Sequence, residues 1–73
     1  MTIQDLLKKS ETNNAWRVID NATEEELAVA KEVVKDSPSS FYSNTGSFLD
    51  DAGDEWVVTP FPHMNQIAFC VSY

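Results

Sequence analysis

The chain has 73 residues, a single cysteine and a formal net charge of −7 at neutral pH. One cysteine excludes an internal disulfide framework and a cysteine-rich metal site, and the negative charge argues against direct binding to nucleic acid or to an anionic membrane surface. The length predicts one small domain, residues 1–73, whose thin core would gain stability from a partner or from self-association.

No targeting segment is predicted. The first five residues contain no basic segment and lead into no long apolar run, so they do not have the pattern of a secretory signal. No stretch approaches the ~20 apolar residues that span a bilayer. Together with the single cysteine, these patterns predict a cytoplasmic protein.

The first predicted element is a short amphipathic helix over residues 2–11. Thr2 and Asp5 stand at the N-cap and N3 positions of a capping box, in which each side chain accepts the other residue's backbone N–H. The apolar residues of this stretch share one helical face: Ile3, Leu6 and Leu7. The polar segment over residues 10–14 predicts a break after the helix.

A strand is predicted over residues 15–19, which are rich in strand-forming side chains and end at the turn formers Asp20 and Asn21. The alternative is that the first helix continues to Ile19. A continued helix would place Trp16 away from the apolar face of that helix. The helical periodicity therefore counts against this alternative and favours the strand.

The best-specified element is a helix over residues 23–36. Thr23 and Glu26 form a second capping box, and the first turn carries three glutamates, where the helix dipole favours negative charge. Lys35 suits the last turn, and Ser37 followed by Pro38 predicts its end.

The periodicity of this helix predicts two distinct faces. One face carries the apolar residues expected to pack on the sheet, with Val33 at its margin: Leu27, Ala30 and Val34. The opposite stripe is acidic, and Val29 falls beside it: Glu25, Glu32 and Asp36. An apolar residue among acids is either covered by the rest of the chain or exposed to a partner.

The second half of the chain predicts strands and turns. In the Ser-rich stretch over residues 37–49, a turn-like cluster at residues 43–46 separates Phe41 and Tyr42 from Phe48 and Leu49, which predicts either a hairpin or a loop. Residues 50–55 predict an exposed acidic turn. Residues 56–59 predict a strand that ends at Pro60 and Pro62, because proline cannot donate to a sheet, and a loop over residues 60–65 follows it.

The last stretch, residues 66–73, alternates large apolar with small or polar side chains and is the clearest strand pattern. It predicts a hairpin with residues 56–59, and its large residues are expected to face the main helix. Together the elements predict an α+β domain in which two helices pack on a three- to four-stranded, mainly antiparallel sheet with a C-terminal hairpin.

No chemistry-bearing motif is complete. Residues 50–55 gather carboxylates around Gly53 but lack the ligand spacing of an EF-hand loop. His63 is predicted in a loop, and no pattern places a nucleophile, a base and an orienting group together. Cys70, on the small face of the last strand, is typical of a packed residue. The sequence therefore predicts no enzyme, no metal site and no cofactor.

The basic residues all lie between Lys8 and Lys35, which leaves the carboxylates of the second half unopposed. Aromatic residues that could stack on bases lack the basic groove that accompanies such platforms: Trp16, Tyr42, Trp56 and Phe61. This distribution predicts a protein partner with a basic surface. Solubility alone is the simpler explanation of the acidity.

Two acidic surfaces are candidate partner-binding sites: Glu25, Val29, Glu32 and Asp36 on the main helix, and Asp50, Asp51, Asp54 and Glu55 in the turn. In size and charge the chain resembles phage-encoded inhibitors of host defence or nucleic-acid machinery, such as anti-restriction and anti-CRISPR proteins. The resemblance implies a non-enzymatic inhibitor that occupies the basic nucleic-acid-binding surface of a larger partner. The alternative is an accessory subunit or homodimer that associates through its C-terminal strand.

Overall fold

A computed structural model describes residues 1–13, 16–40 and 43–71 of the chain. The helices and strands of this part follow one another as α1 (Ile3–Lys9), β1 (Glu11–Asn13), β2 (Trp16–Ile19), α2 (Glu24–Asp36), β3 (Gly46–Leu49), β4 (Glu55–Phe61) and β5 (Gln66–Val71). A short 3-10 helix, Pro62–Met64, joins β4 to β5. Both capping boxes form as predicted, at Thr2 for α1 and at Thr23 for α2.

The strands form one antiparallel sheet in the order β1-β2-β5-β4-β3. The α+β class and the C-terminal hairpin are confirmed, but the sheet has five strands rather than three or four. The missed strand is β1, which lies in the segment predicted as a polar break. A polar sequence can form this strand because β1 lies at the edge of the sheet and pairs with β2 alone.

The predicted end of β4 at Pro60 is wrong, since the strand continues to Phe61 and Pro60 lies opposite Ile67 of β5. The pairing of β4 with β3 ends at Val58. Beyond that residue β4 has β5 on one side only, which is the position where a strand tolerates proline.

The segment that precedes β3 contains one isolated bridge, which does not belong to the predicted hairpin because the sequence places Gly46 in the turn. Pro38 pairs with Gly46, and the Ser39 N–H donates to the Thr45 carbonyl at 2.9 Å. Beyond Gly46, however, β3 pairs with β4 instead. The predicted hairpin partners Phe41 and Tyr42 lie outside the described residues, as do Ala15 of the predicted second strand and Ser72 and Tyr73 of the last strand.

The C-terminal strand β5 occupies the centre of the sheet. It pairs with β4 over its whole length and with β2 from Ile67 to Phe69. Over those residues both backbone edges of β5 are therefore occupied within the chain. The sheet edges belong to β1 and β3.

The two helices and the sheet enclose one hydrophobic core. Phe69 and Ile67 of β5 are buried with Leu27 and Ala30 of α2, as predicted, and Leu6 of α1 joins them. The ring of Phe48 meets that of Phe69 edge-on, with 5.9 Å between their centroids. Val34, predicted on the packed face of α2, is only half-buried.

Gly46 sets the distance between β3 and α2. A Cβ atom at this residue would lie 2.8 Å from the backbone nitrogen of Val34 and 2.9 Å from the carbonyl carbon of Val33. Because backbone atoms cannot move aside cheaply, only glycine permits this approach. In the described part of the chain, neither helix has the length and apolar character needed to cross a bilayer.

Candidate functional site

The acidic stripe of α2 borders an open groove. Glu25, Glu32 and Asp36 are exposed along one side of the helix, and they line the groove together with Phe48 of β3 and Met1. Its volume is about 600 Å³. We call this concavity the α2 groove. Because a helix rises 1.5 Å per residue, the carboxylates from Glu25 to Asp36 are distributed over roughly 16 Å along α2.

The floor of the α2 groove is apolar and continuous with the core. Val29 and Val33 of α2 form this floor, and Phe48 of β3 lines the groove as its wall. Each of the three is partly buried against the core cluster. The prediction for Val29 left open whether it is covered by the chain or exposed to a partner. The structure shows both, since the core covers part of its side chain and the groove exposes the remainder.

The carboxylates of the α2 groove form no ion pair within the described part of the chain. Among the described residues, no hydrogen bond or ion pair engages the carboxylates of Glu25, Glu32 and Asp36, and no Lys or Arg lines the groove. The ion pairs of Lys8 with Asp51 and of Lys9 with Glu26 lie elsewhere.

The acidic turn between β3 and β4 is a separate surface, organised by Asp50. Its Oδ1 accepts the backbone N–H groups of Ala52 and Asp54, each at 2.9 Å, and its Oδ2 accepts the Trp56 indole N–H at 2.8 Å. The Trp56 hydrogen bond, followed by the Asp54 backbone hydrogen bond, lowers the pKa of Asp50. This carboxylate therefore stabilises the turn itself.

The other acids of the turn differ in their surroundings. Asp51 forms an ion pair with Lys8 of α1, with 2.6 Å between Oδ2 and Nζ, and this contact raises the pKa of Lys8. Asp54 and Glu55 are exposed at the end of the turn and the start of β4. The structure thus divides the eight predicted site residues into two surfaces, and the concavities beside them share no lining residue.

Glu26 has a larger structural role than its predicted capping. Its side chain is only 2% exposed, and its carboxylate accepts the Thr23 backbone N–H at 2.9 Å and pairs with Lys9 of α1. The Lys9 hydrogen bond and then the Thr23 backbone hydrogen bond lower the pKa of Glu26. Local sequence indicated the cap, but the pairing depends on how the two helices cross.

Arg17 is a second residue that sequence reasoning missed. Its half-buried guanidinium donates to the Ser10 hydroxyl at 2.9 Å and to the carbonyls of Ser10 and Leu7 at 3.0 and 3.2 Å. It thereby fastens the end of α1 to β2. Three of the five basic residues thus contact polar groups of the chain itself, namely Lys8, Lys9 and Arg17.

The residues considered for chemistry remain apart. His63 lies exposed in the 3-10 helix, with its ring edge-on to Phe61 at a centroid distance of 6.5 Å. Cys70 lies half-buried in β5 opposite Val57. Within residues 1–13, 16–40 and 43–71, no three His, Cys, Asp or Glu side chains are grouped so that they could hold a metal ion.

Comparison with known proteins finds no relative: the chain matches no protein-family model, no curated protein sequence and no solved structure.

Proposed function

We propose that this protein is a non-enzymatic acidic binding module. The acidic surface around its α2 groove would cover a basic, nucleic-acid-binding surface of a larger protein. The observation that carries this proposal is the set of three exposed carboxylates along an apolar floor, none of which has a hydrogen-bond or ion-pair partner among the described residues. Since a basic surface supplies the missing counter-ions, binding would neutralise charge on both proteins.

The proposed mechanism is competition by charge. Carboxylates on a rigid helix present negative charge where the partner would otherwise hold phosphates, so the partner cannot bind its nucleic acid at the same time. A net charge of −7 would also accelerate the encounter with a basic surface and make it sensitive to salt. Such an activity suits a phage counter-defence or host-takeover protein that acts in the cytoplasm and does not itself bind nucleic acid or membrane.

Affinity capture from a bacterial lysate tests the proposal. We expect the captured partner to be a nucleic-acid-binding protein whose complex is displaced by added nucleic acid and weakens as NaCl rises from about 50 mM to about 500 mM. A partner that binds unchanged over this range, or that binds its nucleic acid undisturbed within the complex, would contradict the charge-competition mechanism.

Two variants with equal loss of charge then locate the interface. Neutralising the groove by Glu25→Gln, Glu32→Gln and Asp36→Asn should abolish capture. Neutralising the turn should leave capture nearly intact: Asp51→Asn, Asp54→Asn and Glu55→Gln. Asp50 is left unchanged because it organises the turn. The reverse result would move the interface to the turn.

A further inference from the structure

We infer that the α2 groove receives a basic amphipathic α-helix of the partner, seated by an apolar side chain over Val29 and by cations against Glu25, Glu32 and Asp36. This inference rests on the proposed function and specifies the partner's binding segment. Three features of the groove carry it: the spacing of its charges, its apolar floor, and its opposite wall.

The spacing of the charges selects a helix. Glu25 and Glu32 are seven residues apart and Glu32 and Asp36 four, which along α2 correspond to rises of about 10 and 6 Å. A helix laid alongside α2 has the same rise per residue. Cations separated by seven and four residues on such a helix therefore meet all three carboxylates from a single face.

An extended segment does not satisfy the same spacing. A strand rises about 3.3 Å per residue, so the longer separation corresponds to roughly three residues. Residues three apart in a strand point to opposite faces. The first and second cations would then lie on different sides of the segment, and only one of them would reach α2.

The apolar floor indicates that the partner contributes an apolar side chain in addition to positive charge. Val29 and Val33 expose part of their side chains to the groove, and the neighbouring Ala28 is exposed and too small to obstruct a close approach. A partner that offered cations alone would leave this surface in contact with water. An apolar residue on the cationic face of the partner helix, located between two of the cations, would cover it.

The opposite wall gives the groove its width. Phe48 of β3 is half-buried with its ring edge-on to that of Phe69, and Met1, which is 60% exposed, also lines the groove. Aromatic and methionine side chains adapt to apolar partners and are enriched where helices lie in grooves. The partner helix would therefore contact α2 on one side and Phe48 with Met1 on the other.

Synthetic peptides test this inference on the full chain. The probe is an alanine-rich peptide of about 16 residues, held helical by a side-chain bridge on its far face, with lysines separated by seven and four residues and one leucine facing Val29. Because the helix can lie in either direction, both orders of the spacing are made. Two controls have the same length and charge: one replaces the leucine with serine, and the other distributes the lysines around the helix.

We expect the spaced peptide to bind about tenfold more tightly than the peptide with distributed lysines in about 50 mM NaCl, measured by fluorescence anisotropy. In about 500 mM NaCl the charge contribution is screened, and we expect the leucine peptide to keep an advantage over its serine control. Val29→Thr, which retains the shape of the side chain but adds a hydroxyl, should remove that advantage.

The outcomes separate the inference from the function on which it rests. Equal binding of the spaced and distributed peptides would overturn the helix inference and leave the proposed function standing. A lysate partner that needs the groove carboxylates, together with no binding by any peptide, would lead to the same conclusion. If no peptide binds and no partner is captured, both the helix inference and the proposed function are overturned. Circular dichroism of each protein variant confirms that a loss of binding is not a loss of fold.

Discussion

In the turn between β3 and β4, the carboxylate of Asp50 accepts three hydrogen bonds, two from its own loop and one from Trp56. In the α2 groove, three carboxylates engage no partner within the described chain. Both regions contribute to the same net charge, yet the first uses a carboxylate to build the fold and the second leaves its carboxylates facing solvent. Net charge alone therefore says little about which acidic surface is available to a partner.

The largest expected loss of stability comes from replacing Gly46, the residue at which β3 closely approaches α2. We expect Gly46→Ala to destabilise the protein by about 3 kcal/mol, because its new Cβ would overlap backbone atoms of α2 and force β3 away. Urea unfolding followed by circular dichroism measures the change.

Gly53→Ala is the matched control. This glycine lies in the acidic turn with φ at +87°, and a Cβ atom added to it would have no other atom within 4 Å. The substitution should cost about 1 kcal/mol, from backbone conformation alone. If the two variants unfolded at the same urea concentration, the close contact of β3 with α2 would be wrong, and with it the shape of the groove.

A smaller loss of stability is expected when Glu26, the buried acid of α2, is replaced. Glu26→Gln retains a side chain that can accept the Thr23 N–H but removes the charge that pairs with Lys9. Because Lys9 remains largely exposed to water, we expect a loss of only about 1 kcal/mol. Glu25→Gln, one residue earlier, should change the unfolding free energy much less. Equal losses would mean that the groove carboxylate is structural too.

Acid should unfold the protein through its internally bonded carboxylates. The pKa values of Glu26 and Asp50 are lowered in the fold, so their contribution is complete above the unfolded-state values near 4 and is lost as pH falls toward the folded-state values. We therefore expect the unfolding free energy to decline below about pH 4.3. Combining Glu26→Gln with Asp50→Asn should make that decline shallower.

The neutralised groove is the control for this pH dependence. Its carboxylates have no internal hydrogen bond within the described chain, so the variant with Glu25→Gln, Glu32→Gln and Asp36→Asn should retain the acid-induced decline of the parent protein. A decline that vanished in this variant instead would show that the acid sensitivity arises in the groove.

The sequence predicted those features whose signals are local. The capping boxes at Thr2 and Thr23 each depend on residues three positions apart, and the alternation that leads to Phe69 is contained in one strand. The acidic stripe around Val29 also follows from helical periodicity alone. These predictions needed no knowledge of how the elements pack together.

The features that sequence reasoning missed depend on tertiary placement. β1 has no strand-like composition and forms because β2 offers it an edge. The burial of Glu26 depends on the crossing of two helices, and the anchoring by Arg17 depends on where α1 ends. The α2 groove itself needs Phe48 from a distant strand. Only the close approach at Gly46 could have left a signal, and one glycine in a Ser-rich segment is equally typical of a turn.

The smallest expected effect is the one that most directly separates the two acidic regions. Neutralising the α2 groove changes the net charge from −7 to −4, because three acidic groups become neutral, and this reduces self-repulsion. Glu25 lies near the start of α2, where the dipole favours its charge, whereas Asp36 lies at the end, where it does not. The two dipole contributions oppose each other, so we expect the unfolding free energy to change by no more than about 0.5 kcal/mol.

Urea unfolding of the triple variant measures this change beside its capture assay. Unchanged or raised stability with lost binding is the result expected of carboxylates maintained for a partner. A loss above about 1 kcal/mol would instead show that the groove, like the turn, uses its charges to hold the fold.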